Sequence, residues 1–212
     1  MHSSKPRGFT LIELLTVIAI IGILAGIIIP TVGMVKTSAK KAQTKSQFSQ
    51  WTSAAVLYKQ EYGFYPPINQ KTYNVAEENK LQTAAFAAAL TGKTIKGEVI
   101  TKTTELFGNK KKIAFYNIAD SDLNADKTAL VDAFGNTDIA VIYDKNSDGM
   151  ITNDDYDKGG TSMPKIKALD SSTDLTPEPA TKITDKTGPR ASIVFYSAGQ
   201  GDDNNKIVYS WE

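Results

Sequence analysis

The 212-residue chain has no cysteine, and its one histidine is His2. Without thiols there are no disulfide bridges and no thiolate metal sites, so the fold must hold by packing or by a hard metal ion bound through oxygen. Beyond residue 2 the chain offers neither thiol nor imidazole, which removes the usual nucleophile and base pairings. Its Ser, Lys and Asp residues show no catalytic spacing. The expectation is a protein that is not an enzyme. Neither sign of charge is in excess, since 24 Lys+Arg stand against 23 Asp+Glu. Such a balance does not favour phosphate backbones, and nucleic acid is not an expected partner. Internal repeats and low-complexity tracts are absent too. The length suits one compact domain with an appendage.

Apolar residues, by contrast, are concentrated at one end. From Leu11 to Ile29 the sequence is apolar apart from Glu13 and Thr16. At about 1.5 Å per residue this run extends roughly 28 Å, close to the hydrocarbon thickness of a bilayer. A secretory signal peptide would have a shorter apolar region and a small-x-small cleavage site; here the run ends at Pro30. Lys5 and Arg7 precede it, so the positive-inside rule holds the first eight residues in the cytoplasm and places the chain beyond Pro30 on the far side. The expected topology is single-pass, with the globular part outside the cytoplasm.

Glu13 is the exceptional residue of this run, because a carboxylate in hydrocarbon is costly and is retained for a purpose. One reading has it snorkel to the headgroups. A second comes from its setting. Gly8-Phe9-Thr10-Leu11-Ile12-Glu13, behind a short basic leader and ahead of an apolar run, resembles the class III leader of type IV pilins and type II secretion pseudopilins. The resemblance implies a 1–8 leader, cleavage between Gly8 and Phe9 by a membrane-embedded prepilin peptidase, and N-methylation of Phe9. Cutting there places a new α-amino group four residues, about 6 Å along a helix, from Glu13. Pairing of that ammonium with the Glu13 carboxylate of a neighbouring subunit would neutralise both in an apolar layer and set the axial register of a filament. Loss of Lys5 and Arg7 leaves 22 basic against 23 acidic residues, so assembly is not expected to rest on net charge.

The helical pattern continues past Pro30. Val32, Val35, Ala39 and Ala42 recur at three- or four-residue spacing, and beyond them Phe48, Trp51, Ala55, Tyr58 and Tyr62. One helix over 9–62 is expected, transmembrane in its first half, with a bend or loosening near Gly22, Gly26 and Pro30. Lys36, Lys40, Lys41 and Lys45 face headgroups or water, and the aromatic stripe packs beneath the domain. Gly63 stops the helix, and the Phe-Tyr-Pro-Pro after it cannot extend it. Residues 63–212 read as a small α+β domain with antiparallel pairing. A second helix is expected from Val75 to Thr91, with Asn74 and Glu77 at capping-box spacing and Gly92 as its stop. Strand-like runs cover Lys112 to Tyr116, Ile139 to Tyr143, Ile193 to Tyr196 and Lys206 to Trp211. The polar stretch from Lys158 to Arg190, with Pro164, Pro177, Pro179 and Pro189, is expected to be loop. Asp120 to Asp126 is expected to be a solvated acidic loop.

Between Asp144 and Asp155 oxygen donors fall at EF-hand spacing: Asp144, Asn146 and Asp148, then Gly149 for the sharp turn, Met150 through its carbonyl, Thr152 through water, and Asp155 as the closing ligand. These all-oxygen donors point to Ca²⁺ over Mg²⁺, which demands tighter octahedral geometry. A strand-like run leads into the loop where an EF-hand has a helix, and Asp155 has a shorter arm than glutamate. The competing reading is a polar hairpin loop.

The stretch from Ser197 to Trp211 resembles the calcium-loop ending of major pseudopilins of the general secretion pathway protein G type. Asp132-Ala133-Phe134-Gly135-Asn136 resembles that family's Asp-Pro-Trp-Gly-Asn segment, and Glu61 to Pro66 its helix exit. This implies a type IV pilin-like α+β fold and a second metal position at Asp202 and Asp203, with a tight turn as the equal alternative. It also implies self-association into a helical filament, and as partners an inner-membrane secretion platform and minor pseudopilins. The alternatives are a type IV pilus subunit for adhesion, motility or DNA uptake, and a membrane-anchored calcium-binding module that does not polymerise; a simple anchor would have no need of Glu13.

Overall fold

The computed structural model describes residues 8–66, 83–100, 108–156, 163–169, 173–201 and 203–212. Helix α1 runs from Leu11 to Tyr62 without interruption, through Gly22, Gly26 and Pro30. The loosening expected there is not seen as a break. Its end is as the sequence predicts: Gly63 takes φ +82° and donates its N–H to the Lys59 carbonyl at 2.8 Å, a left-handed stop that residues with a Cβ avoid.

The chain divides into two compact units, 1–39 and 40–212. In the first, the large apolar side chains between Phe9 and Val35 are exposed, among them Leu11, Ile18, Ile23 and Ile29. By length and composition α1 can cross a membrane. The second unit includes the last turns of α1, and there the aromatic stripe is core: Phe48, Trp51, Ala55 and Tyr58 are fully buried.

A three-stranded antiparallel sheet organises this unit in the order β1 (Ile139–Tyr143), β4 (Ile193–Ser197), β5 (Val208–Tyr209). β1 pairs with β4 from Ile139 opposite Ser197 to Tyr143 opposite Ile193. Both strands are buried throughout, so alternate side chains serve two cores. Ile139, Val141, Ile193 and Phe195 meet α1 and helix α2 (Thr83–Thr91) through Phe48, Trp51, Phe86 and Leu90. Ring centroids of Trp51, Phe86 and Phe195 lie 5.8–6.0 Å apart in edge-on contacts. On the other face Ala140, Ile142, Val194 and Tyr196 pack against Ile151, Tyr156, Met163, Ile166, Leu175 and Ile207.

Three expectations need correction. Residues 112–116 form no strand, because their donors find other acceptors: Phe115 and Tyr116 N–H both go to the Leu90 carbonyl at the end of α2, and Ile113 N–H to the Asn109 side chain. The stretch from Lys158 to Arg190 is not simply loop; it contains the antiparallel pair β2 (Ile166–Lys167) and β3 (Asp174–Leu175), whose Ile166 and Leu175 help close the second core. The last strand is also shorter than expected, two residues long. The part of the second helix expected over 75–82, with the Asn74 and Glu77 cap, lies outside the described residues.

Candidate functional site

At the N-terminus Gly8 and Phe9 precede the helix and are exposed, and a Cβ built on Gly8 would meet nothing within 4 Å. Glu13 is already engaged within its own chain. Its Oε2 accepts the Thr10 N–H at 2.8 Å and the Thr10 hydroxyl at 2.6 Å, while Glu13 N–H donates to Thr10 Oγ1 at 3.3 Å. This is a capping box, in which two orphan donors of the first turn are satisfied reciprocally. Thr10 is a partner that the sequence expectations missed, although its Thr-x-x-Glu spacing is the signal for it. Thr16 and Thr31 turn their hydroxyls back to carbonyls one turn earlier, so no bare hydroxyl is left facing an apolar medium.

The 144–155 loop continues directly from β1 and folds on its own carboxylates. Asp144 accepts Asp148 N–H at 3.2 Å and Gly149 N–H at 2.9 Å through its two oxygens. Asp148 N–H also donates to Asn146 Oδ1 at 3.0 Å, and Asp148 Oδ1 accepts Met150 N–H at 2.8 Å. Ser147 and Gly149 both take positive φ, +61° and +84°, which closes the turn. Thr152 precedes a 3-10 turn over Asn153–Asp155, and fully buried Asp155 accepts Thr152 N–H at 2.7 Å and Lys145 N–H at 2.8 Å, so it ties both ends of the loop together. Among the described residues no three of His, Asp and Glu converge tightly enough to form a metal cluster. The donor chemistry nevertheless suits a calcium ion: all donors are hard oxygens, and the amide-accepting oxygens of Asp144 and Asp148 each keep a second lone pair, whereas Asp155 Oδ2 accepts both the N–H and the hydroxyl of Thr152.

At the other end of the sheet Asp132 and Asn136 form a buried clamp. Asp132 accepts the N–H groups of Phe134 and Asn136 on one oxygen, and the Asn136 amide at 2.8 Å and the Ser197 hydroxyl at 2.7 Å on the other. Asn136 donates to the Gly199 carbonyl at 2.8 Å and accepts Leu169 N–H at 2.8 Å. Thr44 of α1 accepts Ala133 N–H at 3.2 Å. The segment thus joins α1, the end of β4 and the C-terminal turn. In that turn Asp203 is exposed and accepts Asn205 N–H at 3.0 Å, while Asp202 lies outside the described residues.

The acidic stretch from Asp120 to Asp126 corrects another expectation. Asp122 is buried, not solvated: Gln47 of α1 donates to it at 3.0 Å, the Tyr116 hydroxyl at 2.6 Å and Ala119 N–H at 2.9 Å. Nothing in the spacing of this stretch distinguishes Asp122 from its exposed neighbours.

Residues 3–29, which hold the Gly8-Phe9 junction and the capped start of α1, match the prokaryotic N-terminal methylation motif. The N-terminus is a prepilin-type methylation motif. The chain is similar to the type II secretion system core protein G of Escherichia coli K12, 35% identical over 83 residues, which is 39% of this chain and 57% of that protein. It is 36% identical over 70 residues to the protein of the same name from Klebsiella michiganensis, 33% of this chain and 49% of that one. A fimbrial protein of Pseudomonas aeruginosa aligns further, 30% identical over 145 residues, 68% of this chain and 64% of that protein. The chain thus spans about half the length of the core G relatives it matches. No solved structure matches it. Combined with this motif, the long apolar N-terminal helix and the small antiparallel sheet are the type IV pilin-like α+β arrangement.

Proposed function

We propose that this chain is a pseudopilin, a structural and non-enzymatic filament subunit of a type II secretion system. The observation that carries the reading is a prepilin methylation motif leading into α1, in a chain 35% identical over 83 residues to a type II secretion core protein. Prepilin peptidase would cut between Gly8 and Phe9 and Phe9 would be methylated. The first half of α1 would hold the subunit in the inner membrane with residues 40–212 on the periplasmic side. On assembly Glu13 would exchange its Thr10 partner for the α-ammonium of a neighbouring subunit, through head-to-tail contacts that repeat into a helix. The loop at Asp144, Asn146, Asp148, Met150, Thr152 and Asp155 would take up Ca²⁺, adding stability that rises with the free ion concentration. The secretion platform and minor pseudopilins would be its partners. A surface pilus is the second reading, favoured by the longer alignment with a fimbrial protein.

One experiment separates the two. In a deletion strain compared with its parent, the secretion reading expects a defined set of proteins to vanish from the medium while surface filaments persist. Loss of surface filaments with an unchanged secretome would select the pilus. Complementation with Glu13→Ala is expected to leave processed subunit in the membrane and no function restored; normal function would remove the pairing role.

A further inference from the structure

A cavity of about 230 Å³ opens between the end of α2 and the segment 114–127. One wall is a tight hairpin in which Lys93 and Val99 form a bridge, Thr94 N–H donates to Glu98 O at 2.9 Å and Gly97 N–H to Thr94 O at 2.8 Å. The lining is mixed: Ile95, Ile118 and Leu123 supply its apolar part and pack onward against the main core, while Thr91, Thr94 and Asn117 supply polar surface. The rim carries three lysines, Lys93, Lys96 and Lys127, against one carboxylate, Asp120. Lys93 and Lys96 have no carboxylate partner among the described residues. The pair Lys127–Asp120, at 2.9 Å, is exposed on both sides and so contributes little, leaving Lys127 available to another anion.

Lys127 also sits in the left-handed region, at φ +53°, where a Cβ meets the adjoining carbonyl. The turn around it is held by Asn124, which accepts Lys127 N–H on its carbonyl at 2.9 Å and Thr128 N–H on its side chain at 2.8 Å. Glycine would adopt this conformation without strain. The backbone therefore gives no reason for lysine here; the side chain at the rim of the cavity does.

We infer that this cavity is an interaction site for an acidic segment of another polypeptide, one that places a carboxylate among Lys93, Lys96 and Lys127 and an adjacent apolar side chain on Ile118 and Leu123. Apolar lining residues and charged rim together select for that combination, since either feature alone would favour a plain apolar or a plain anionic ligand.

The full chain in nanodiscs of zwitterionic lipid is titrated against a fluorescein-labelled peptide, Glu-Ile-Asp-Val, and its amide counterpart Gln-Ile-Asn-Val, by anisotropy. The acidic peptide is expected to bind at least tenfold more tightly, more weakly as salt rises, and to slow hydrogen exchange in 93–99 and 114–127. Lys127→Gly should weaken binding at least fivefold with an unchanged or raised melting temperature, an outcome that a merely structural lysine would not give. Lys93→Gln with Lys96→Gln should weaken it as well. Equal binding of the two peptides, protection elsewhere, or full affinity in Lys127→Gly would overturn the inference. So would binding only to vesicles of anionic lipid and not to the peptide, which would assign the lysines to a membrane surface.

Discussion

Asp122 shows how one side chain can tie separate parts of the chain together. Its two oxygens collect donors from α1 (Gln47), from the segment after α2 (Tyr116) and from its own turn (Ala119), and Gln47 donates in addition to the Val131 carbonyl at 2.9 Å. Because the site is buried, removing the acceptor leaves donors that water cannot reach. Asp122→Ala is expected to destabilise the protein by about 3 kcal/mol, read as a lower urea midpoint at unchanged m-value. Asp122→Asn keeps one acceptor oxygen and should lose less. In the sequence Asp122 is one acid among several, and burial came from its contact with Gln47, 75 positions away. Thr10 and Glu13 are the opposite case. Three residues apart on a nascent helix, they meet through local geometry alone, and the Thr-x-x-Glu signature suffices to place the contact.

Among the elements, α1 was the most legible. Its apolar run, its aromatic stripe and its glycine stop each derive from spacing, because a helix satisfies its own backbone and needs only its side-chain pattern to be read. Residues 112–116 and the pair β2–β3 depart from their sequence patterns for the complementary reason: whether an extended run becomes a strand depends on which acceptor its N–H groups meet, and that acceptor is elsewhere in the chain. The 144–155 loop lies between these cases. Its donor order was visible, and its fold about Gly149 agrees with it, yet ion binding is a further step. Addition of Ca²⁺ is expected to raise the melting temperature, by an increment equivalent to about 2.7 kcal/mol at a hundredfold excess over Kd, and chelator should reverse it. Asp148→Asn, at an exposed position of the loop, should abolish most of the increment with little effect on the ion-free protein. Asp155→Ala should abolish it and also destabilise the ion-free protein, since Asp155 holds Lys145 and Thr152 N–H groups. An unchanged melting temperature across the Ca²⁺ series would remove the metal from the proposal.

Buried tyrosines serve both cores, Tyr58 and Tyr143 in one and Tyr196 and Tyr209 in the other, with a consequence for pH. Burial is the main cause that pushes Tyr58 up to about 12 and Tyr209 up to about 12, and it raises Tyr116, Tyr143 and Tyr196 as well. Their folded-state values lie above the unfolded value near 10, so the folded protein holds more protons in that range. The resulting stability is present in full below about pH 10 and is lost as pH rises from there towards 12. Tyrosinate absorbance and circular dichroism recorded together should change in one transition in that window. Ionisation that runs ahead of unfolding would show that these hydroxyls are less buried than the structure has them.

Sequence alone reached the properties that depend on neighbours in the chain: the apolar segment of α1 with its single carboxylate, the methylation motif over residues 3–29, the end of the helix at Gly63, the order of oxygen donors after β1, and the absence of thiol and imidazole side chains beyond residue 2. Each is a matter of spacing along a few turns or a count of residue types. Tertiary structure was needed where distant segments meet. It buried both faces of the β1–β4 sheet by packing Ile151, Tyr156, Met163, Ile166 and Leu175 on the face away from α1, withdrew Asp122 and Asp132 from water, and brought Lys93 and Lys127 to one cavity. These outcomes depend on which surfaces exclude water when packed together, and residues far apart in the chain contribute to them jointly.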